Sequence, residues 1–176
     1  MRKKITYDYL NIGTGEDISI KESLDLLAKN ANNDLVDANF KMEKNMTMVF
    51  ACLDLKTGVL HYGNAGHYEV FHVQNSKVSR ILKASNYLGM EDDFILAYQQ
   101  VSLSPGDNLF FYTDGLIENH GPHQARLKMK KLRSIVATTD EPAKIKENLI
   151  RNCQQLWQDV PPQDDYTFLI VKWHGP

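Results

Sequence analysis

Two strongly apolar runs, Leu109 to Thr113 and Tyr166 to Trp173, each abut a carboxylate, and this limits the folds open to the chain more than any other feature. The first run ends in Phe111-Tyr112-Thr113-Asp114-Gly115, and the second is preceded by Gln163-Asp164-Asp165. Apolar stretches of this length between turn residues read as buried β-strands. Asp114 follows its strand whereas Asp164 precedes its own, so antiparallel pairing would bring both acids to one edge of one sheet. Carboxylates held there by rigid elements suit a hard, oxygen-preferring cation such as Mg²⁺ or Mn²⁺. The spacing points to metal-assisted chemistry and also shows a shortage of ligands. A lone Thr-Asp-Gly, or a lone pair such as Asp164-Asp165, is ordinarily a solvated turn; the combination with two buried strands is what raises them above that.

The rest of the chain reads as helix, strands, helices and a last strand. Residues 1–18 form a remnant or linker, apolar from Ile5 to Ile12 and broken at Gly13-Thr14-Gly15. Ser19 with Glu22 makes a capping box, and the helix it starts should fade near Asn32-Asn33, before a polar connection over 38–45. Met46 to Leu55 is apolar at nearly every position, as in a strand covered on both faces. Lys56-Thr57-Gly58 turns it back into Val59 to Tyr62, and Asn64-Ala65-Gly66-His67 interrupts. A second hairpin, Tyr68 to Val73 and Lys77 to Leu82, turns at Asn75-Ser76. Leu88-Gly89-Met90 is a turn, Ile95 to Leu103 a strand, and Ser104-Pro105-Gly106-Asp107 a turn into the first acid-bearing strand. Beyond Asp114 the pattern predicts a short helix from Leu116, a break at Gly121-Pro122, and amphipathic helices over 123–137 and 141–157. Pro142 fits the first turn of the last helix. Sheets backed by helices in an α+β layer arrangement follow, and 176 residues suit a single domain spanning 1–176.

Other candidates carry weaker signals. Asn64-Ala65-Gly66-His67 offers His67 as a general acid or ligand, but a tight turn around Gly66 accounts for it better. His61, His72 and His174 sit singly on strands, and the spacing of His120 and His123 makes no zinc site. Arg126, Lys128, Lys130, Lys131 and Arg133 concentrate five positive charges in eight residues. A solvated helix face with Leu127, Leu132 and Val136 turned inward explains them more simply than a patch for an acidic or phosphorylated partner. Neither a Gly-x-Ser-x-Gly elbow nor a phosphate-cradling glycine loop occurs.

Composition excludes several classes. A formal net charge of −2 gives no general pull toward nucleic acid or anionic membrane. The two cysteines, Cys52 and Cys153, suit reduced, buried positions, not a disulfide framework. No apolar run reaches the about 18 residues a membrane span needs, and Thr6, Asp8 and Asn11 interrupt any signal-peptide core after Met1-Arg2-Lys3-Lys4. Cytoplasmic location is the expectation.

Several segments together resemble one family. Phe110-Phe111-Tyr112-Thr113-Asp114-Gly115-Leu116-Ile117-Glu118 is similar to the "YTDGLIE" signature of SpoIIE-type protein serine phosphatases, a branch of the metal-dependent PPM phosphatases. Leu53-Asp54-Leu55-Lys56-Thr57-Gly58 followed by Tyr62-Gly63-Asn64-Ala65-Gly66-His67 resembles their "LDLxTGxLxYxNAGH" hairpin. Leu88-Gly89, Leu103-Ser104-Pro105-Gly106-Asp107 and Asp164-Asp165-Tyr166-Thr167 match the "LG", "L-x-P-G-D" and "DDxT" segments, in order across about residues 19–173. The resemblance implies an α-β-β-α sandwich of mostly antiparallel sheets and a two-metal centre, usually Mn²⁺ or Mg²⁺. It implies hydrolysis of phosphoserine or phosphothreonine in a bacterial signalling protein, such as an antagonist of an anti-sigma factor, without a covalent intermediate. By position it makes Asp114 and Asp164 metal ligands, gives Asp165 a supporting role, assigns Gly115 to close backbone approach, and lets Asn64 and His67 shape the nearby hairpin.

The family's earlier segments, "GDFYD" and "GDVSGHG", which supply further acids, have no counterpart here. The resemblance therefore implies a C-terminal portion of the phosphatase domain, incomplete at its N-terminus and weak or inactive alone. An exposed sheet edge would favour a homodimer. The alternative is a non-catalytic interaction or dimerisation module derived from the same fold; a third reading is an unrelated sheet-rich ligand-binding domain.

Overall fold

A computed structural model describes residues 18–39, 45–81 and 83–176. Nearly all of the predicted remnant at 1–18, most of the polar connection at 38–45, and Leu82 lie outside the described residues. The chain divides into two compact units, one containing residues up to His67 and Lys83–Ser102, the other Tyr68–Leu82 and Leu103–Pro176.

The first unit is a helix on a three-stranded antiparallel sheet. Helix α1 spans Ile20–Asn39, and strands β1 (Met48–Leu53), β2 (Val59–Ala65) and β5 (Ala97–Ser102) pair in the order β1-β2-β5. The capping box forms as the sequence predicts: the Ser19 N–H and Oγ both donate to Glu22 Oε2, at 2.8 and 2.7 Å. The helix does not fade at Asn32-Asn33. Asn32 is buried, its Nδ2 donating to the Glu91 carbonyl at 2.8 Å and its Oδ1 accepting from the Gly89 N–H at 2.9 Å. With its amide engaged in tertiary bonds, Asn32 no longer competes with the helix backbone, and the turns beyond it persist. Strand β2 likewise runs on through Asn64 and Ala65, which pair with Val49 and Met48, so the interruption begins only at Gly66. Leu24, Ala28, Phe50, Ala65, Leu88, Phe94 and Leu96 form this unit's core.

The second unit holds strands β3 (Val70–Gln74), β4 (Lys77–Ile81), β6 (Asn108–Tyr112) and β7 (Phe168–Lys172), all antiparallel, in the order β4-β3-β6-β7. Its helices are α2 (Gly115–Glu118), α3 (Met129–Val136) and α4 (Pro142–Trp157). The helix expected over 123–137 is only α3. Ahead of it lies a 3₁₀ turn over Pro122–Gln124, in which His123 and Gln124 take φ of 54° and 62°, and His120 bridges to Arg126. A left-handed pair directly after Pro122 is incompatible with a continuous α-helix. Arg126, Lys128, Lys130 and Lys131 are exposed, and Leu127, Leu132 and Val136 are buried, as a solvated basic face requires. One face of the sheet carries Phe71, Val73, Phe110 and Tyr112 into a core with Leu132, Ile135, Val136, Ile145, Leu149 and Trp157 from α3 and α4. Cys153 is buried there, Cys52 is half-buried, and both thiols are free. Among the described residues, no helix is long and apolar enough to cross a membrane.

Candidate functional site

Strands β6 and β7 pair from Asn108↔Lys172 to Tyr112↔Phe168. Beyond that last pair the ladder closes on threonines. Thr113 N–H donates to the Thr167 carbonyl at 3.0 Å, and Thr167 N–H donates to Thr113 Oγ1 at 2.9 Å. Asp114 and Asp164 therefore leave and enter the sheet at the same end, as their order along the chain predicts.

Each acid is steadied by the amide next to it. Asp114 Oδ1 accepts from the Gly115 N–H at 2.9 Å, while its carbonyl accepts from Ile117 and Glu118 and starts α2. Asp164 Oδ1 accepts from the Asp165 N–H at 2.9 Å. Both side chains are exposed, and among the described residues neither Oδ2 takes a hydrogen bond. Each exposed carboxylate thus has one oxygen fixed to backbone and the other without a hydrogen bond to a described residue.

Gly115 brings the two segments into contact. It is buried, and a Cβ at its position would overlap the Asp165 carbonyl oxygen and lie 3.4 Å from that of Asp164. The space a side chain would need at Gly115 is thus taken by the backbone of Asp165. Asp165 contributes its backbone on both sides of this junction, and its own side chain is exposed.

Asn64 and His67 belong to the first unit, where they make a turn of their own. Asn64 Nδ2 donates to the His67 carbonyl at 3.0 Å, and the His67 N–H donates to Asn64 Oδ1 at 2.8 Å. Gly66 between them takes a φ of +63°, and a Cβ there would overlap the Tyr87 ring. That geometry accounts for the Asn64 amide and for the glycine by local structure.

One residue at the acid-bearing end carries no signal in the sequence. Asn119 caps the C-terminus of α2 and is 1% exposed. Its Nδ2 donates to the carbonyls of Gly115 at 2.7 Å and Asp164 at 2.8 Å. Its Oδ1 accepts from the N–H groups of Gln163 at 2.6 Å and Asp164 at 3.0 Å. A polar residue after a four-residue helix looks like an ordinary cap; only the fold reveals that it holds a segment more than forty residues away.

Two acids with open oxygens at one edge can offer a divalent cation a pair of hard ligands. Among the described residues, no group of three or more His, Cys, Asp or Glu side chains is placed to hold a metal ion. The donor set fits such an ion as two carboxylates and no further.

Comparison with known proteins gives the chain relatives. The sequence model of the family described as "Stage II sporulation protein E (SpoIIE)" matches residues 14–174. Protein IcfG of Synechocystis sp. is 31% identical over 77 residues, which is 43% of this chain and 12% of that protein. The phosphatase domain of the cell fate determinant SpoIIE from Bacillus subtilis, solved from Mn-presoaked material, matches with a TM-score of 0.60 at 18% identity. The match covers 90% of this chain and 68% of that one. The SiaA-PP2C domain of Pseudomonas aeruginosa matches with a TM-score of 0.73 at 17% identity, over 85% and 60% of the two chains. At these identities the structural likeness is one of fold, and it bears out the expected α+β, phosphatase-like class, incomplete relative to those domains.

Proposed function

This chain belongs to the SpoIIE family, and from that membership we propose that it acts as part of a metal-dependent phosphatase for phosphoserine or phosphothreonine in proteins. The observation that supports this reading is the meeting of Asp114 and Asp164 at one sheet end, across the packed Gly115–Asp165 junction. Asp114 and Asp164 are the residues that would hold Mn²⁺ or Mg²⁺. When bound, such an ion neutralises charge on a phosphoryl group and lowers the pKa of coordinated water. The chain's own contribution is placement. The Gly115 and Asp165 amides fix one oxygen of each carboxylate, and the exposed edge leaves the other to serve as a cation ligand. A bacterial signalling protein such as an anti-sigma-factor antagonist is the substrate class this family membership suggests.

With two acids and no third ligand among the described residues, turnover by this chain alone should be weak. The test is hydrolysis of a phosphoserine peptide with and without Mn²⁺, by the chain and by its Asp114→Asn and Asp164→Asn variants. Slow, Mn²⁺-dependent turnover lost in both variants is expected. Fast turnover without metal, or turnover indifferent to both substitutions, would refute the reading. A non-catalytic interaction module is the second reading, favoured by the small donor set. Leu169, 56% exposed on β7, gives that reading a surface, since β7 pairs only with β6 among the described residues. Self-association seen as a doubled mass in solution, combined with no turnover, would favour it.

A further inference from the structure

We propose that Asn119 is a positioning residue that sets the placement of Asp164 relative to Asp114, and thereby the affinity of the pair for a divalent cation. The inference rests on the reading of Asp114 and Asp164 as joint metal ligands. It starts from the completeness of the Asn119 amide's bonding. A primary amide has two N–H donors and an oxygen with two lone pairs. Here both donations and both acceptances are made, two on each side, and all four partners are backbone groups of Gly115, Gln163 and Asp164. The amide therefore grips the segment on both sides of the Gln163–Asp164 peptide and ties it to the first residue of α2, the neighbour of Asp114.

The grip is set in a rigid frame. Asn119 N–H donates to the Gly115 carbonyl at 3.3 Å, and its own carbonyl accepts from Trp157 Nε1 at 3.2 Å. Gly121, two residues on, packs with its Cα against the Trp157 backbone at the end of α4, where a Cβ would lie 2.8 Å from the Trp157 Cα. Trp157 also meets the Tyr166 ring edge-on, with centroids 4.8 Å apart, on the far side of the same segment. By contrast, Gln163, Asp164 and Asp165 are all exposed. Among the described residues the Gln163 and Asp164 N–H groups are held by Asn119 alone. With one further tie, from the His120 N–H to Gln163 Oε1 at 3.0 Å, the placement of this exposed, acid-bearing segment depends chiefly on one buried residue.

Backbone hydrogen exchange of the 176-residue chain gives the first test and needs no substitution. The Gln163 and Asp164 amides should be protected despite their exposed side chains; fast exchange of both would overturn the proposal. The second test is Mn²⁺ affinity, read by the loss of the free-ion electron paramagnetic signal. It uses the chain and its Asn119→Ala, Asn119→Asp, Asp114→Asn and Asp164→Asn variants, with Leu149→Ala as a control that loosens the same unit's core away from the segment. All are compared at a temperature where circular dichroism shows each to be folded.

Either Asn119 substitution should weaken Mn²⁺ binding roughly ten- to hundredfold, as loss of groups that orient metal ligands does, while Leu149→Ala leaves it within error. A general loss of packing would move all three alike and would overturn the proposal. Mn²⁺ binding abolished by Asp114→Asn and Asp164→Asn but untouched at Asn119 would refute the positioning role and leave the site standing. Mn²⁺ binding indifferent to both aspartate changes would refute the site itself and, with it, the part given to Asn119. If Asn119→Ala is unfolded, Asn119→Asp, which keeps the shape and loses both donors, carries the same comparison.

Discussion

The carbonyl group of Asp165 stands where a side chain at Gly115 would have to begin. A Cβ built on that glycine lies 2.9 Å from the Asp165 carbonyl carbon and closer still to its oxygen. No positive φ forces glycine here, so the requirement is one of space between two backbones.

Gly115→Ala should therefore destabilise the chain by about 2 kcal/mol, the usual scale of overpacking against a backbone that cannot retreat freely. Urea unfolding would measure it. The change should also weaken Mn²⁺ binding, because the junction it pushes apart carries both acids. A variant as stable as the parent would show that the segment moves aside at no cost.

A second expectation concerns the turn that leads into β6. Asp107 is 3% exposed and its Oδ2 accepts from His72 Nε2 at 2.7 Å, from the Ser104 N–H at 2.8 Å and from Gln74 Nε2 at 3.2 Å. Asp107→Ala removes the acceptor shared by three donors, of which the half-buried His72 ring is the one that loses its partner away from free solvent, and should cost about 2 kcal/mol, read as a lowered urea midpoint. Mn²⁺ binding measured below the transition should be retained, since this turn lies at the opposite end of β6 from Asp114.

Alkaline stability gives a third. Burial pushes the Cys153 thiol up to about 11 from its ordinary 9.0. Between those values the unfolded chain has released this proton and the folded chain has kept it. The unfolded state then binds fewer protons, and stability falls as pH rises. The thiol's contribution is whole below pH 9 and is lost as pH rises through about 11, amounting to at most about 3 kcal/mol. Urea midpoints measured below pH 9 and near pH 11 should diverge less in Cys153→Ala than in the parent. Burial also raises Tyr112, so part of the alkaline slope should survive that substitution.

Much of this arrangement is legible in the sequence because it is local. The strands around Phe110 and Ile170 are continuous apolar runs, Ser19 and Glu22 form a capping box by spacing alone, and the acids follow from their position at strand ends. What escapes a sequence reading depends on partners far along the chain. Asn32 looks like a helix stop until Gly89 and Glu91 take up its amide. Asn119 looks like a cap until Gln163 and Asp164 arrive. The over-long helix at 123–137 is an error of another kind. Its hydrophobic spacing is real, but the left-handed pair His123-Gln124 stops the backbone from using it. Asn64 and Ala65 look like a break by composition, although they are still paired in β2 and only Gly66 turns away.

The strand order β4-β3-β6-β7 gives the acid pair a place in time as well as in space. Asp114 is in the chain, with its strand β6 and the β3 strand on one side of it, some fifty residues before Asp164 is translated. Because β7 is made after every other strand of its sheet, no nascent chain that stops short of it can bring the two carboxylates together. A polypeptide abandoned on the ribosome before β7 would hold three of that sheet's four strands and nothing to set Asp164 against Asp114.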